Sequence, residues 1–179
     1  MVAKRILLVS GSLRAGSTNT AVLRTVAAIV PDDLETTFYD GLGTLPHFNP
    51  DDDVDPLPDP VVALRAAIRA SDAVLFSSPE YAGALPGSFL NLLDWTIGGG
   101  EIYEKPVVWI NVATSPTGAV KAYESLRTVL GYAGTRIVES ACAHIPVLHA
   151  EVGPDGLVTA PDARRQLDTV VTRLLEELS

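Results

Sequence analysis

A single cysteine, Cys142, stands among 179 residues. One thiol cannot close an intrachain disulfide or supply a multi-cysteine metal site, and its apolar stretch suits a buried structural thiol. Basic residues are also few: 13 Lys and Arg face 22 Asp and Glu, for a net charge of −9. That balance argues against general nucleic-acid binding and suits a solvated acidic surface. No apolar run approaches the roughly 20 residues that span a bilayer. The segment after Lys4 and Arg5 turns polar by Ser10, so it reads as a first strand and not as a signal peptide. A cytoplasmic, reduced protein with no membrane partner is the simplest expectation. The three histidines, His47, His144 and His149, are too widely spaced for a metal site and read as structural or surface groups. Asp51-Asp52-Asp53 lacks the glycine and terminal glutamate of a calcium loop and reads as a solvated acidic turn.

Hydrophobic residues make up 47% of the chain, and no linker or repeat divides it, so residues 1–179 are expected to form one domain. Strand and helix patterns alternate. "RILLVS" (5–10), "LETTFYD" (34–40), "DAVLFSS" (72–78), "PVVWINVA" (106–113) and "TRIVESA" (135–141) read as strands, the apolar ones buried on both faces. Helical spacing follows from Thr18 to Pro31, after Asp59-Pro60 with Asp59 as cap, from Pro86 to the glycines at 98–100, around Tyr123, Leu126 and Leu130, and over 161–178. Residues 41–60 read as a long functional or mobile loop, and 151–160 as a small turn-containing excursion. Five such alternations predict an α/β, doubly wound, five-stranded parallel sheet with helices on both faces. Ligands of such sheets bind beyond the carboxyl ends of the strands, which here carry loops 11–19, 78–85 and 114–118.

"GSLRAGSTNT" (11–20) joins the first strand to the first helix. Backbone amides and the positive helix end favour an anion there. Ser12, Ser17, Thr18 and Thr20 add hydroxyls, Asn19 an amide and Arg14 a charge. A nucleotide hydrolase would need lysine where Ser17 stands, and the G-x-G-x-x-G of a dinucleotide site is absent. A compact phosphate monoester suits the many hydroxyl donors better. In the second loop Pro79 restrains the chain and Gly83 permits close backbone approach.

These two stretches resemble a known family. "GSLRAGSTNT" is similar to the G-S-x-R-x-x-S-x-N loop of the NADPH-dependent FMN reductases, which are flavodoxin-like. "SPEYAGALPGSFLNLLDW" (78–95) resembles their S-P-E-Y-x-x-x-x-P-G-x-L-K-N-x-x-D-W signature. Leu90 stands in place of the family's lysine and Phe89 in place of its leucine, and in the third loop Gly118 is followed by Ala119 where two glycines are usual. The resemblance implies FMN as cofactor, with its 5′-phosphate in the first loop. It implies Pro79, Glu80, Tyr81, Ala82 and Gly83 around the flavin ring, and Ser115 and Gly118 as neighbours of it. It also implies NADPH or NADH as hydride donor and a small acceptor, such as free flavin, a quinone, an azo compound or chromate. Because the flavin carries the chemistry, no catalytic side chain and no metal are expected. The alternative is a flavodoxin-type electron carrier or sensor that does not use a nicotinamide directly. Leu90 and Trp95 widen the apolar face of the helix over 86–97, which predicts a homodimer or homotetramer with Trp95 at the interface. Tyr103 would then approach a flavin across that interface, and Trp109 would lie in the core.

Overall fold

The computed structural model describes residues 3–31 and 34–179. Strands β1 (Lys4–Ser10), β2 (Leu34–Phe38), β3 (Ala73–Ser77) and β4 (Pro106–Asn111) run parallel in the order β2-β1-β3-β4. Beyond β4 the edge is shared by β5 (Arg136–Ile137) and β6 (Ala143–His144), both parallel to it. Helices α1 (Thr18–Ile29), α2 (Asp59–Arg69), α3 (Gly87–Ile97), α4 (Val120–Tyr132) and α5 (Pro161–Leu178) complete the doubly wound, flavodoxin-like α/β arrangement.

The two faces follow from strand periodicity. Leu7 and Val9 point to the side covered by α2, α3 and α4, where they meet Val61, Phe89 and Leu126. Ile6 and Leu8 point the other way, into a core closed by Val22 and Val26 of α1 and Leu167 and Val171 of α5. With helices on both faces, the strand interiors can be continuously apolar. The excursion after residue 150 is tied down by a bridge between Val152 and Val158 and by Thr25 Oγ1, which accepts from Val158 N–H at 2.8 Å.

Three expectations need correction. The single strand expected over 135–141 is two short pieces, because the chain turns at 139–142 before rejoining β4. That detour lets Glu139 pair with Arg127 of α4, whose guanidinium lies 5.2 Å above the Trp109 ring. Helix α2 begins with Asp59 inside its first turn; Pro58 is the cap, so Asp59 is not. The greatest difference concerns residues 41–58. They contain two 3₁₀ turns, Gly41–Gly43 and Pro50–Asp52, and form a strap laid across α3. Pro46 O accepts from Asn91 Nδ2 and from Trp95 Nε1, each at 2.9 Å. Phe48 N–H donates to Asn91 Oδ1 at 2.7 Å, and the Phe48 ring stands edge-on to Trp95 with centroids 5.0 Å apart. Trp95 is therefore fully buried by its own chain and does not wait for a second copy.

The acidic run splits in the same way. Asp51 and Asp52 are exposed, whereas Asp53 accepts from Arg65 Nη2 at 2.7 Å. Arg65 also donates to Trp95 O and faces Glu101 at 3.8 Å. The side chains of Arg65, Asp53 and Glu101 are only 8%, 13% and 7% exposed. A Cβ at Gly98 would fall on the Asp53 carboxylate, so the glycine run after α3 makes room for this cluster. Removing one partner from a buried ionic group strands the others at a cost of about 3–5 kcal/mol. Arg65→Ala is therefore expected to lose about 3 kcal/mol of folding free energy at neutral pH. Denaturant unfolding measures it, and an exposed-pair loss below about 1 kcal/mol would contradict the buried cluster.

Candidate functional site

A cavity of about 470 Å³ opens at the carboxyl ends of β1, β3 and β4. The parallel sheet places three loops there: 11–17 before α1, 78–86 before α3 and 112–119 before α4. Because each strand ends at this edge, its last carbonyls and the following amides need partners from side chains. Ser77, the last residue of β3, supplies one set: its Oγ lies 2.8 Å from Ile110 O and 2.9 Å from Asn19 Oδ1. Tyr123 supplies another. Its hydroxyl is 2.7 Å from Ile110 O and accepts from Ser78 N–H at 3.1 Å. Burial pushes the Tyr123 phenol well above its ordinary value, so it stays protonated. Ser10 Oγ lies 2.8 Å from Thr20 Oγ1 and also accepts from Ser12 N–H, which ties the first loop to α1. Gly11 N–H donates to Ser77 O at 2.9 Å, and a Cβ at Gly11 would meet Ser78 Cβ at 2.6 Å. Only glycine lets the first two loops lie this close.

The first loop has the character of an anion cradle. Ser17 caps α1 through Thr20 N–H at a long 3.5 Å, and no acidic residue occupies the first turn of that helix. Among the described residues the Arg14 guanidinium has no carboxylate partner. Ser12, Arg14, Ser17, Thr18 and Asn19 all line the cavity. Asn19 is anchored through its side-chain amide, 2.9 Å from Ser77 Oγ, at the cavity wall. Positive helix end, hydroxyls, amide and guanidinium together match a phosphate dianion. Thr20 is not at the cavity wall; it buttresses Ser10.

The second loop contributes Ser78, Pro79, Glu80 and the 49% exposed Tyr81. Ala82 and Gly83 lie outside the wall and make the turn between Tyr81 and Ala84, both with positive φ, as a type I′ turn requires. The third loop contributes Asn111 through Thr114 and Ala119, while Ser115 and Gly118 lie off the wall. Gly118 serves the loop instead, since its carbonyl accepts from Asn111 Nδ2 at 2.9 Å. Val147 and His149, from the segment after β6, close the remaining side. His149 thus borders the cavity next to Gly16, a role its spacing in the sequence did not reveal. Asn111 carried a readable signal: it is the one polar residue at the end of an otherwise apolar strand.

A second cavity of about 360 Å³ lies beyond α4, against Trp109, Arg127, Cys142 and His144. Burial pushes the Cys142 thiol up to about 11, so at neutral pH it is a protonated, unreactive group. Among the described residues no cluster of His, Cys, Asp or Glu could hold a metal ion, and no helix is long and apolar enough to cross a membrane.

Parallel strands in this order, with the cavity beyond β1, β3 and β4, define a flavodoxin-like cofactor-binding protein. The profile of the NADPH-dependent FMN reductases matches residues 4–149, and the chain belongs to that family. It is accordingly an oxidoreductase that works with FMN and a reduced nicotinamide nucleotide. It is 28% identical to a 2-hydroxy-1,4-benzoquinone reductase from a Burkholderia species, over 96% of this chain and 94% of the relative. It is 34% identical to an NAD(P)H-dependent FMN reductase of Pseudomonas aeruginosa, over 70% and 69%. The structure of a flavoenzyme NAD(P)H:(acceptor) oxidoreductase from Paracoccus denitrificans superimposes with a TM-score of 0.83 at 29% identity, covering 97% of this chain and 98% of the other.

The Tyr123 hydroxyl joins β3, β4 and α4 directly beneath the site. Tyr123→Phe leaves Ser78 N–H without its acceptor and Ile110 O with Ser77 Oγ as its one remaining donor, and a buried unsatisfied polar group costs about 1–3 kcal/mol. The variant is expected to lose that much stability while keeping its circular-dichroism spectrum. Unchanged unfolding free energy would show that the hydroxyl is dispensable.

Proposed function

We propose that this protein holds FMN in the cavity described above and uses it to pass hydride from NADPH or NADH to a small acceptor of the quinone class. The observation that carries the reading is the polarity of the cavity: one end is an anion cradle without a carboxylate, and the other is walled by loop backbone, Pro79 and Tyr81. The donor set fits the cofactor. Ser12, Arg14, Ser17, Thr18 and Asn19 would hold the 5′-phosphate, with Thr20 acting through Ser10. Pro79, Glu80 and Tyr81 would frame the ring, with Ala82 and Gly83 shaping their turn. Ser115 and Gly118 would act on the ring only through the course of the third loop. When bound, the flavin ring supplies the redox step, accepting hydride from the nicotinamide and yielding it to the acceptor.

The chain's own task is binding and alignment. Tyr81 stands at the rim, where nicotinamide and acceptor would enter in turn. The choice of a quinone is supported by the Burkholderia relative and by a rice relative, 41% identical over 71% of this chain and 64% of its own length, described as a probable NADPH:quinone oxidoreductase. Free flavin, azo compounds and chromate belong to the same type of reaction. Cytoplasmic residence and a homodimer or homotetramer complete the proposal. With Trp95 covered, the case for assembly rests on the exposed Ile97, Tyr103 and Tyr132.

The phosphate assignment is tested by comparing FMN with riboflavin. A hydrogen bond to a charged group contributes roughly 1.5–3 kcal/mol, about ten- to 150-fold in affinity. Ser17→Ala and Arg14→Ala are expected to weaken FMN binding within that range and to leave riboflavin unchanged in calorimetry. Equal losses for both ligands would reduce Ser17 to a helix cap, worth about 1 kcal/mol of stability. Steady-state rates with NADPH and a benzoquinone are expected to give parallel double-reciprocal lines, because both substrates share one opening. Intersecting lines would refute the shared opening, and no NADPH oxidation without a partner protein would make the molecule an electron carrier.

A further inference from the structure

Helix α4 starts without an acceptor of its own. Its cap residue, Ala119, has a left-handed backbone (φ 59°), makes no side-chain cap bond, and is followed by no acidic residue in the first turn. The first amides of a helix need acceptors. One comes from far upstream: Glu80 Oε2, in the second loop, accepts from Ala122 N–H at 3.1 Å. Glu80 is half-buried and lines the cavity, and Ala119 lines it too.

The other ties of the third loop lie away from the second. Asn111 holds it from below, through Gly118 O and Ala113 N–H, His144 Nε2 lies 2.6 Å from Ala113 O, Val147 N–H donates to Val112 O, and Gly118 N–H closes back on Ser115 O. Residues 114–117 are exposed. Two side chains link the second loop to the first turn of α4: the buried Tyr123 hydroxyl, through Ser78 N–H, and, nearer the cavity, the Glu80 carboxylate. Its charge also lies at the positive end of that helix. The cavity is bordered by the N-termini of both α1 and α4, and the carboxylate covers only the second. An anion entering the cavity is left with one attractive end, beside Arg14.

We propose that Glu80 is a positioning residue: by capping α4 from the second loop it holds, at the cavity side of the Tyr123–Ser78 bond, the spacing of the two loops that wall the ring end of the cavity, and it reserves the α1 end for the phosphate. This rests on the FMN reading given above. A role of this kind differs from the phosphate contacts, because its loss moves the wall of the ring and leaves the phosphate cradle intact.

Glu80→Ala and Glu80→Gln test it, since the amide retains an acceptor oxygen. In the protein without added flavin, hydrogen exchange over residues 112–122 is expected to quicken roughly three- to thirtyfold in Glu80→Ala, the range of a lost helix cap, and to stay near wild type in Glu80→Gln. In calorimetry, Glu80→Ala is expected to weaken FMN and riboflavin by the same factor, in contrast to Ser17→Ala. Unchanged exchange in Glu80→Ala would overturn the cap, and a loss confined to FMN would overturn the assignment to the ring end. Equal quickening in both variants would show that the charge, and not the acceptor oxygen, holds the helix, and would overturn the cap as stated. If the wild-type protein binds neither flavin, the functional reading falls, while the exchange comparison still decides the cap. Should Glu80→Ala not fold, a folded Glu80→Gln with wild-type exchange upholds the cap, and one with rapid exchange overturns it.

Discussion

Everything at the open end of this molecule depends on how the central strands stop. A parallel sheet covered by helices on both faces sends every strand toward the same edge, and the chain must leave that edge through a loop before each helix. The carbonyl of Ile110, one residue from the end of β4, lies too deep to reach water and is reached by two hydroxyls, Ser77 Oγ and Tyr123 OH. Those two side chains also bind Asn19 and Ser78. One buried knot of polar groups therefore fixes α1, the second loop and α4 relative to one another. The cradle and the opposite wall of the cavity stand on a common base, so the spacing between the two ends is a property of the sheet edge and not of any one loop.

Charge is distributed along the cavity in the same economical way. The two helix N-termini that border it are treated differently: that of α1 keeps its attraction for anions, strengthened by Arg14, while that of α4 is occupied by Glu80. On the reading proposed above, this asymmetry would orient a ligand that carries phosphate at one end and a neutral ring at the other.

Much of this was legible where the chemistry is local in sequence. The residues of the first loop are neighbours along the chain and lie together in space, so five of the six chosen from it line the cavity. The β-strands showed themselves by apolar runs, and the two faces by alternation. What escaped were features whose partners lie far apart. The strap over α3 depends on Asn91, Trp95 and Arg65, between 12 and 49 residues away from the groups they hold. Nothing in "PHFNPDDDVD" announces those contacts. Trp95 looked like an interface residue because its cover comes from that strap. The fifth strand is interrupted by a turn at 139–142, after which the chain rejoins β4 as β6, and nothing in the local apolar pattern of 135–141 marks that turn. Ser115 and Gly118 are what the family resemblance of the third loop implies, yet both lie off the cavity wall: Gly118 is turned inward to Asn111, and a Cβ there would meet Ala113 at 2.6 Å.

The strap also divides residues 41–58 into a part that can change and a part that cannot. From Pro46 to Phe48 each backbone or ring contact seals α3, and Asp53 fills the space that Gly98 leaves. Between these anchors and α2, Val54, Asp55 and Pro56 face solvent. Added length there would meet only water and would cost little in loop-closure entropy, since that cost grows slowly with length. This short outward bend is thus the place where relatives could diverge in size, or where a peptide could be grafted, without disturbing the edge of the sheet that holds the site.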